Sequence, residues 1–208
     1  MLTAKVKICG ITNYRDARAA MDMGADLLGF NFYDKSPRFV QPEKAAEIIN
    51  KLPAFIDIAG VFVNSSYDFI HNTVVLCTLD FVQLHGDEDA QFCRSLLSLD
   101  VKTIKAVRVR DHNDIKKTED FPVDAILLDA FSSEKYGGTG LGFDWGMIGH
   151  ISKDVFIAGG ITPDNAGEAV KLGFYGIDVC SGIESEPGKK DHKKMKKLFD
   201  NIRHLRGL

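Results

Sequence analysis

Cys9, His85, Asp129 and the pairs Gly159-Gly160 and Ser181-Gly182 are the residues of this 208-residue chain whose types and settings could do chemistry. Cys9 follows Lys5-Val6-Lys7-Ile8, and in an extended segment Lys5, Lys7 and Cys9 share one face while Val6 and Ile8 share the other. Its thiol is either a small buried hydrophobe or a thiolate acting as base or nucleophile. The second reading needs a pKa below the free value of about 8.5, which nearby positive charge supplies. Asp129 ends the apolar run Ala125-Ile126-Leu127-Leu128. A carboxylate there either caps the next loop or serves as a general acid, because burial raises its pKa. The glycine pairs let backbone N–H groups approach an anion, with a helix N-terminus adding partial positive charge; tight turns are their other use. His85 reads equally as a hydrogen-bonded rim histidine or as a substrate contact. Arg108 and Arg110 read as surface charge, and no grouping of His, Asp and Glu has the spacing of a metal site.

These residues need elements to carry them. Strand patterns fall at Lys5–Cys9, Asp26–Phe32, Ile56–Val63, Asp80–Leu84, Lys102–Val107, Asp124–Leu128, Val155–Ala158 and Gly176–Val179. Between them apolar residues recur at the helical period, as in Ala45/Ile48/Ile49/Leu52, Ile70/Thr73/Val74/Cys77 and Met195/Leu198/Phe199/Ile202. Pro42 reads as a first helical residue, as does Pro163 behind an N-cap at Thr162. Short helices are expected near 111–118 and 144–150. Eight strand–helix units with right-handed crossovers predict a single (β/α)8 TIM barrel of class α/β over residues 1–208. An open doubly wound sheet is the rival, but no Gly-x-Gly-x-x-Gly follows the first strand. In a barrel the strands' carboxyl ends form the active rim. Cys9-Gly10, the Tyr33–Arg38 loop, His85-Gly86-Asp87, Asp129, Gly159-Gly160 and Ser181-Gly182 all fall there. The loops after strands seven and eight are a frequent phosphate site on this fold.

Composition narrows the function classes. Net charge is −3, against the basic surface that nucleic acid or an anionic membrane requires. The four cysteines have no Cys-x-x-Cys spacing, which reads as reduced thiols in a cytoplasmic protein. No apolar run reaches the roughly 18 residues of a membrane span. The basic run from Lys189 to Lys194 reads as the solvated face of the last helix, opposite Met195, Leu198 and Phe199.

Motifs in order along nearly the whole chain resemble the phosphoribosylanthranilate isomerase family. They are Lys7-Ile8-Cys9-Gly10-Ile11-Thr12, Gly29-Phe30 through Ser36-Pro37-Arg38, Val61-Phe62-Val63-Asn64, Val82-Gln83-Leu84-His85-Gly86 and Leu127-Leu128-Asp129. Gly137-Gly138-Thr139-Gly140, Ala158-Gly159-Gly160-Ile161, Ser181-Gly182-Ile183-Glu184 and Pro187-Gly188-Lys189-Lys190-Asp191 continue the match. The sequence departs at Cys180, where the family more often has Ser or Asn. The resemblance implies a (β/α)8 barrel that converts N-(5-phosphoribosyl)anthranilate to the 1-deoxyribulose 5-phosphate in tryptophan synthesis, without metal or cofactor. Carried over, Cys9 is the general base, Asp129 the general acid, Arg38 a contact to the anthranilate end and His85 a substrate contact. Gly159, Gly160, Ser181 and Gly182 hold the phosphate. The expected partner is thus a small phosphorylated substrate, with no nucleic acid or membrane, in a monomer or a homodimer. Rival readings are another phosphate-binding barrel enzyme, such as a pentose-phosphate epimerase or indole-glycerol-phosphate synthase, or a non-catalytic sensor.

Overall fold

All eight apolar runs become parallel strands of one closed barrel, in the order of the chain. They are β1 (Lys5–Cys9), β2 (Leu27–Asn31), β3 (Asp57–Phe62), β4 (Phe81–Leu84), β5 (Lys102–Val109), β6 (Ala125–Ala130), β7 (Asp154–Ile157) and β8 (Gly176–Val179). β8 returns to pair with β1, with Ile8 opposite Val179. The computed structural model describes residues 4–130 and 145–207. Asp26, Asp80 and Asp124 each stand just before their strand rather than in it. Their carboxylates accept the N–H groups of Val6, Ile58 and Thr103 at 2.7–2.8 Å. Each caps the strand beside its own, which is why these strands begin one residue later than the apolar pattern suggests.

Alternation along the strands divides two apolar layers. Val6, Ile8, Leu28, Phe30, Ile126, Leu128, Ile177 and Val179 face outward and pack under the helices. Leu27, Ala59, Phe81, Ile104, Ala125, Leu127 and Phe156 face inward and fill the lower barrel. The same period-2 rule carries Lys7, Cys9, Gln83, Asp129 and Asp178 inward above that plug.

The helices are α1 (Tyr14–Met23), α2 (Pro42–Ile49), α3 (Tyr67–Cys77), α4 (Ala90–Ser95), α5 (His112–Lys116), α6 (Ala166–Lys171) and α7 (His192–Arg206). Their starts follow local chemistry: Asn13, Ser66, Asp89, Asp111 and Asp191 each accept an N–H of the first turn, and Pro42 opens α2. Such caps contribute about 1 kcal/mol each. Two expectations are corrected. Thr162 and Pro163 do not open a helix. Instead Asn165 accepts the Thr162 N–H at 2.7 Å and donates to the Gly160 carbonyl at 2.9 Å, folding 163–165 into a turn before α6. In place of a helix at 144–150 the described residues hold a 3₁₀ turn, Trp145–Met147. Among the described residues no helix is long and apolar enough to cross a membrane.

A third correction concerns the basic run. β9 (Glu184–Glu186) and β10 (Lys189–Lys190) form a small hairpin ahead of α7, so Lys189 and Lys190 are not helical. The Lys190 side chain is fully buried. It turns inward because the barrel rim offers it Glu184 and two backbone carbonyls, where the solvated helix face was expected.

Candidate active site

Lys7 and Asp178 form the floor of the rim site. They lie opposite one another on β1 and β8, with Nζ 3.0 Å from Oδ1 and both side chains buried. Burial opposes the charge on Lys7, but Asp178 and Cys9 outweigh it and hold the ammonium above its usual value. Burial pushes Asp178 up to about 6, partly offset by Lys7. Gly29 of β2 sits opposite Cys9. A Cβ there would lie 3.0 Å from both the Cys9 sulfur and Lys7 Nζ, so the missing side chain is the space those two groups occupy.

Cys9 sits above this pair at 8% exposure. A hydrogen bond from Cys180 lowers its pKa most; burial opposes, and Lys7 and Lys190 lower it further. The result is a thiol well below its ordinary range. Cys180, which shares the proton, is correspondingly pushed up. Lys190 Nζ donates to the Cys9 carbonyl at 2.6 Å and to Glu184 at 3.0 Å. Glu184 also takes Arg38 as a fork, through Nε at 3.0 and 3.1 Å and Nη2 at 2.7 Å. Burial opposes the Arg38 charge, and Glu184 then raises it above its usual value. No described residue occupies Nη1.

The opposite wall carries Gln83, His85 and Asp129. Gln83 Nε2 donates to His85 Nδ1 at 2.8 Å, which in this amide orientation leaves the ring proton on Nε2. That atom lies 3.3 Å from Asp129 Oδ2, yet off the line of a hydrogen bond, and it and Gln83 Oε1 are buried without a hydrogen-bond partner. Buried polar atoms are seldom left so; both suit hydroxyls of a polyhydroxylated ligand. Asp129 is 5% exposed.

The anion loops close the third side. Gly159 and Gly160 take φ of +81° and +67°, a region L side chains avoid. Ser181 opens a 3₁₀ turn, Ser181–Ile183, directly after β8. At Gly182 a Cβ would overlap the Ile161 carbonyl, so the two loops touch backbone to backbone.

These walls enclose a cavity of about 490 Å³, a size suited to a small ligand. It brings together Cys9, Asp129, Arg38, His85, Gly159, Gly160 and Ser181; Gly182 does not line it. A more open hollow of about 770 Å³ at the far end of the barrel is lined by Lys5, Asp26 and Arg206 and holds none of these groups. Arg108 is half-buried and paired with Asp87 at the rim, whereas Arg110 pairs with Asp114 on the surface. The loop 132–136 and Gly137-Gly138-Thr139-Gly140 lie outside the described residues. The residue-by-residue reading assigned no role to Asp178, Glu184 or Lys190. For Asp178 a signal existed: Gly176-Ile177-Asp178-Val179 is an apolar-patterned strand with a carboxylate on the face that alternation turns inward. Among the described residues no cluster of three metal-ligating side chains occurs.

Fold and site together define a (β/α)8-barrel enzyme with its reactive groups on the carboxyl rim. Residues 6–201 match the family model described as N-(5'-phosphoribosyl)anthranilate (PRA) isomerase. The chain belongs to that family. A relative from Geotalea uraniireducens, named N-(5'-phosphoribosyl)anthranilate isomerase, is 47% identical over 97% of this chain and 99% of its own. The phosphoribosyl anthranilate isomerase structure from Thermus thermophilus superposes with a TM-score of 0.89 at 32% identity, covering 97% of this chain and 100% of that one. A further isomerase, solved with reduced 1-(o-carboxyphenylamino)-1-deoxyribulose 5-phosphate, has a TM-score of 0.82 at 35% identity, with 97% and 100% covered.

Proposed function

We propose that Cys9 and Asp129 divide the proton transfers of the reaction this isomerase carries out in tryptophan biosynthesis. That reaction turns N-(5-phosphoribosyl)anthranilate into 1-(2-carboxyphenylamino)-1-deoxyribulose 5-phosphate. The observation that carries the assignment is a thiol held well below its usual pKa in the same cavity as a buried carboxylic group on the far wall.

The substrate is a furanose with the anthranilate nitrogen on its first carbon. As that nitrogen's lone pair forms the C=N bond, the ring C–O bond breaks and Asp129 delivers a proton to the departing oxygen. The Cys9 thiolate then takes the proton from the second carbon, and the electrons left behind neutralise the iminium as an enolamine. Tautomerisation to the ketone completes the rearrangement with no net oxidation. Lys7 offsets the negative charge on Cys9 before the transfer, and Asp178 balances Lys7 after it. His85 Nε2 and Gln83 Oε1 meet sugar hydroxyls. Arg38 presents Nη1 to the anthranilate carboxylate while Glu184 fixes the rest of its fork. The backbone N–H groups at Gly159, Gly160, Ser181 and Gly182 hold the phosphate, so binding far from the reacting carbons orients them.

Fluorescence of freshly made phosphoribosylanthranilate, followed as it disappears, tests the division of labour. Cys9→Ala and Asp129→Asn should each lower kcat by a factor on the order of 10²–10⁴ with an unchanged melting temperature. Either variant keeping more than about a tenth of wild-type kcat overturns its residue's role.

A further inference from the structure

Cys9 ends β1 and Cys180 directly follows β8, the two strands that close the barrel. β1 and β8 pair with Ile8 opposite Val179, and the next residue of the chain after each is a cysteine. Ile8 and Val179 face the helices, so alternation turns both cysteines inward, and both line the cavity. Paired strands lie about 4.8 Å apart, inside the Cα separation of roughly 4.4–6.8 Å that a disulfide spans. A Cβ on Gly10, the residue after Cys9, would lie 3.0 Å from the Cys180 sulfur, so that sulfur already stands against the end of β1. Lys190 Nζ reaches the Cys9 carbonyl at 2.6 Å and the Cys180 carbonyl at 3.4 Å, tying the two backbones together. Cys180 is partly exposed to the cavity, whereas Cys77 and Cys93 are buried in the apolar layer under the helices.

We propose that this pair is an oxidative modification site for hydroperoxides, with Cys9 as the attacking sulfur and Cys180 as the resolving one. The Cys9 thiolate attacks one peroxide oxygen and the O–O bond breaks. The leaving oxygen takes a proton from solvent and departs as water, or as an alcohol from an organic hydroperoxide. Cys9, oxidised by two electrons, is left as a sulfenic acid. The Cys180 sulfur then attacks the Cys9 sulfur, the S–O bond breaks, and hydroxide leaves as water with the Cys180 proton. Two thiols and one peroxide thus give one disulfide, reversible by any dithiol. The adjacency of the two cysteines at the ends of paired strands lets resolution precede a second peroxide attack, which would carry Cys9 to the irreversible sulfinic acid. Loss of turnover on oxidation rests on the reading of Cys9 as base; formation of the bond does not.

Reduced protein treated with hydrogen peroxide, blocked with N-ethylmaleimide in denaturant and mapped without reductant should yield a Cys9–Cys180 linked peptide. Two of the four thiols should disappear, and dithiothreitol should restore both thiols and activity. In Cys180→Ser, compared with its own untreated activity, peroxide should leave Cys9 as sulfinic acid and dithiothreitol should recover nothing. A wild-type map with Cys9 as sulfinic acid, Cys9 unmodified, or a link to Cys77 or Cys93 overturns the proposal. A linked peptide in a protein whose Cys9→Ala variant still turns over supports the site and refutes only the base assignment.

Discussion

At the Cys9 sulfur, the Cys180 hydrogen bond and two cations oppose burial, and together they prevail. A thiol lowered in this way gives up its proton at lower pH than a free one, so raising the pH adds less of the reactive form. Its alkylation by iodoacetamide should therefore climb far less between about pH 7 and 9 than that of a free thiol of pKa about 8.5, which would speed up roughly 25-fold. Cys77 and Cys93, pushed up to about 11 by burial, should remain unlabelled. Peptide mapping over time decides this; a wild-type Cys9 rate that climbs tenfold across that range refutes the thiolate. Lys7→Met removes one of the cations and should return a pH-dependent rate. Breaking the buried pair by that change alone costs about 3–5 kcal/mol, so Lys7→Met/Asp178→Asn, which leaves no unpaired charge, is the companion variant.

Aspartates organise the joins between elements. Asp16 on α1 accepts the Lys190 N–H at 2.9 Å and bonds His192 Nε2 at 2.7 Å, tying the first helix to the start of the last. Burial opposes its charge, but these bonds win and hold the carboxyl below its ordinary value. A carboxylate lowered in the native state adds stability above its unfolded pKa of about 3.9, and that stability is lost as pH falls through the native value. Asp16→Ala should thus cost about 1–3 kcal/mol at neutral pH for the donors it strands. The gap from wild type should shrink toward about pH 3. Denaturant melts at both pH values check it, and an equal gap at the two refutes the role of charge. The strands themselves were legible because each is a bounded run of apolar residues, and the barrel followed from counting them. Strand starts were not, since a carboxylate capping a neighbouring strand looks like the first residue of its own. The cap at Thr162 misled for a similar reason: its hydroxyl does accept an N–H, that of Asp164 at 3.3 Å, but in a turn. That Cys9 and Asp129 reach the cavity was readable because each falls at the carboxyl end of a strand. Lys190 was not, because a lysine among lysines carries no local sign of burial; only the closed rim supplies its partners.

The molecule is closed at both ends of one seam. At the bottom, Arg206 of α7 donates to the Ala4 and Gly24 carbonyls, both at 2.9 Å, and pairs with Asp26. At the top, the loops after β7 and β8 meet at Gly182. Inorganic phosphate, by binding there in the native state alone, should raise the melting temperature over chloride at matched ionic strength. At 100 times Kd it would add about 2.7 kcal/mol. Gly182→Ala forces the Ile161 carbonyl away and should abolish that shift while costing about 1–3 kcal/mol by overpacking. Identical wild-type melts in the two salts would remove the phosphate site. The inward alternation of β1 has one more effect. A slip of one residue in that strand would swap its faces, driving Val6 and Ile8 into the lumen and Lys7 and Cys9 beneath the helices. Misaligned barrels would carry a buried, unpartnered lysine and no Cys9 thiol at the rim. Turnover regained after dilution from denaturant is thus a census of molecules whose first strand has docked in the native alignment, whatever helix content the rest display.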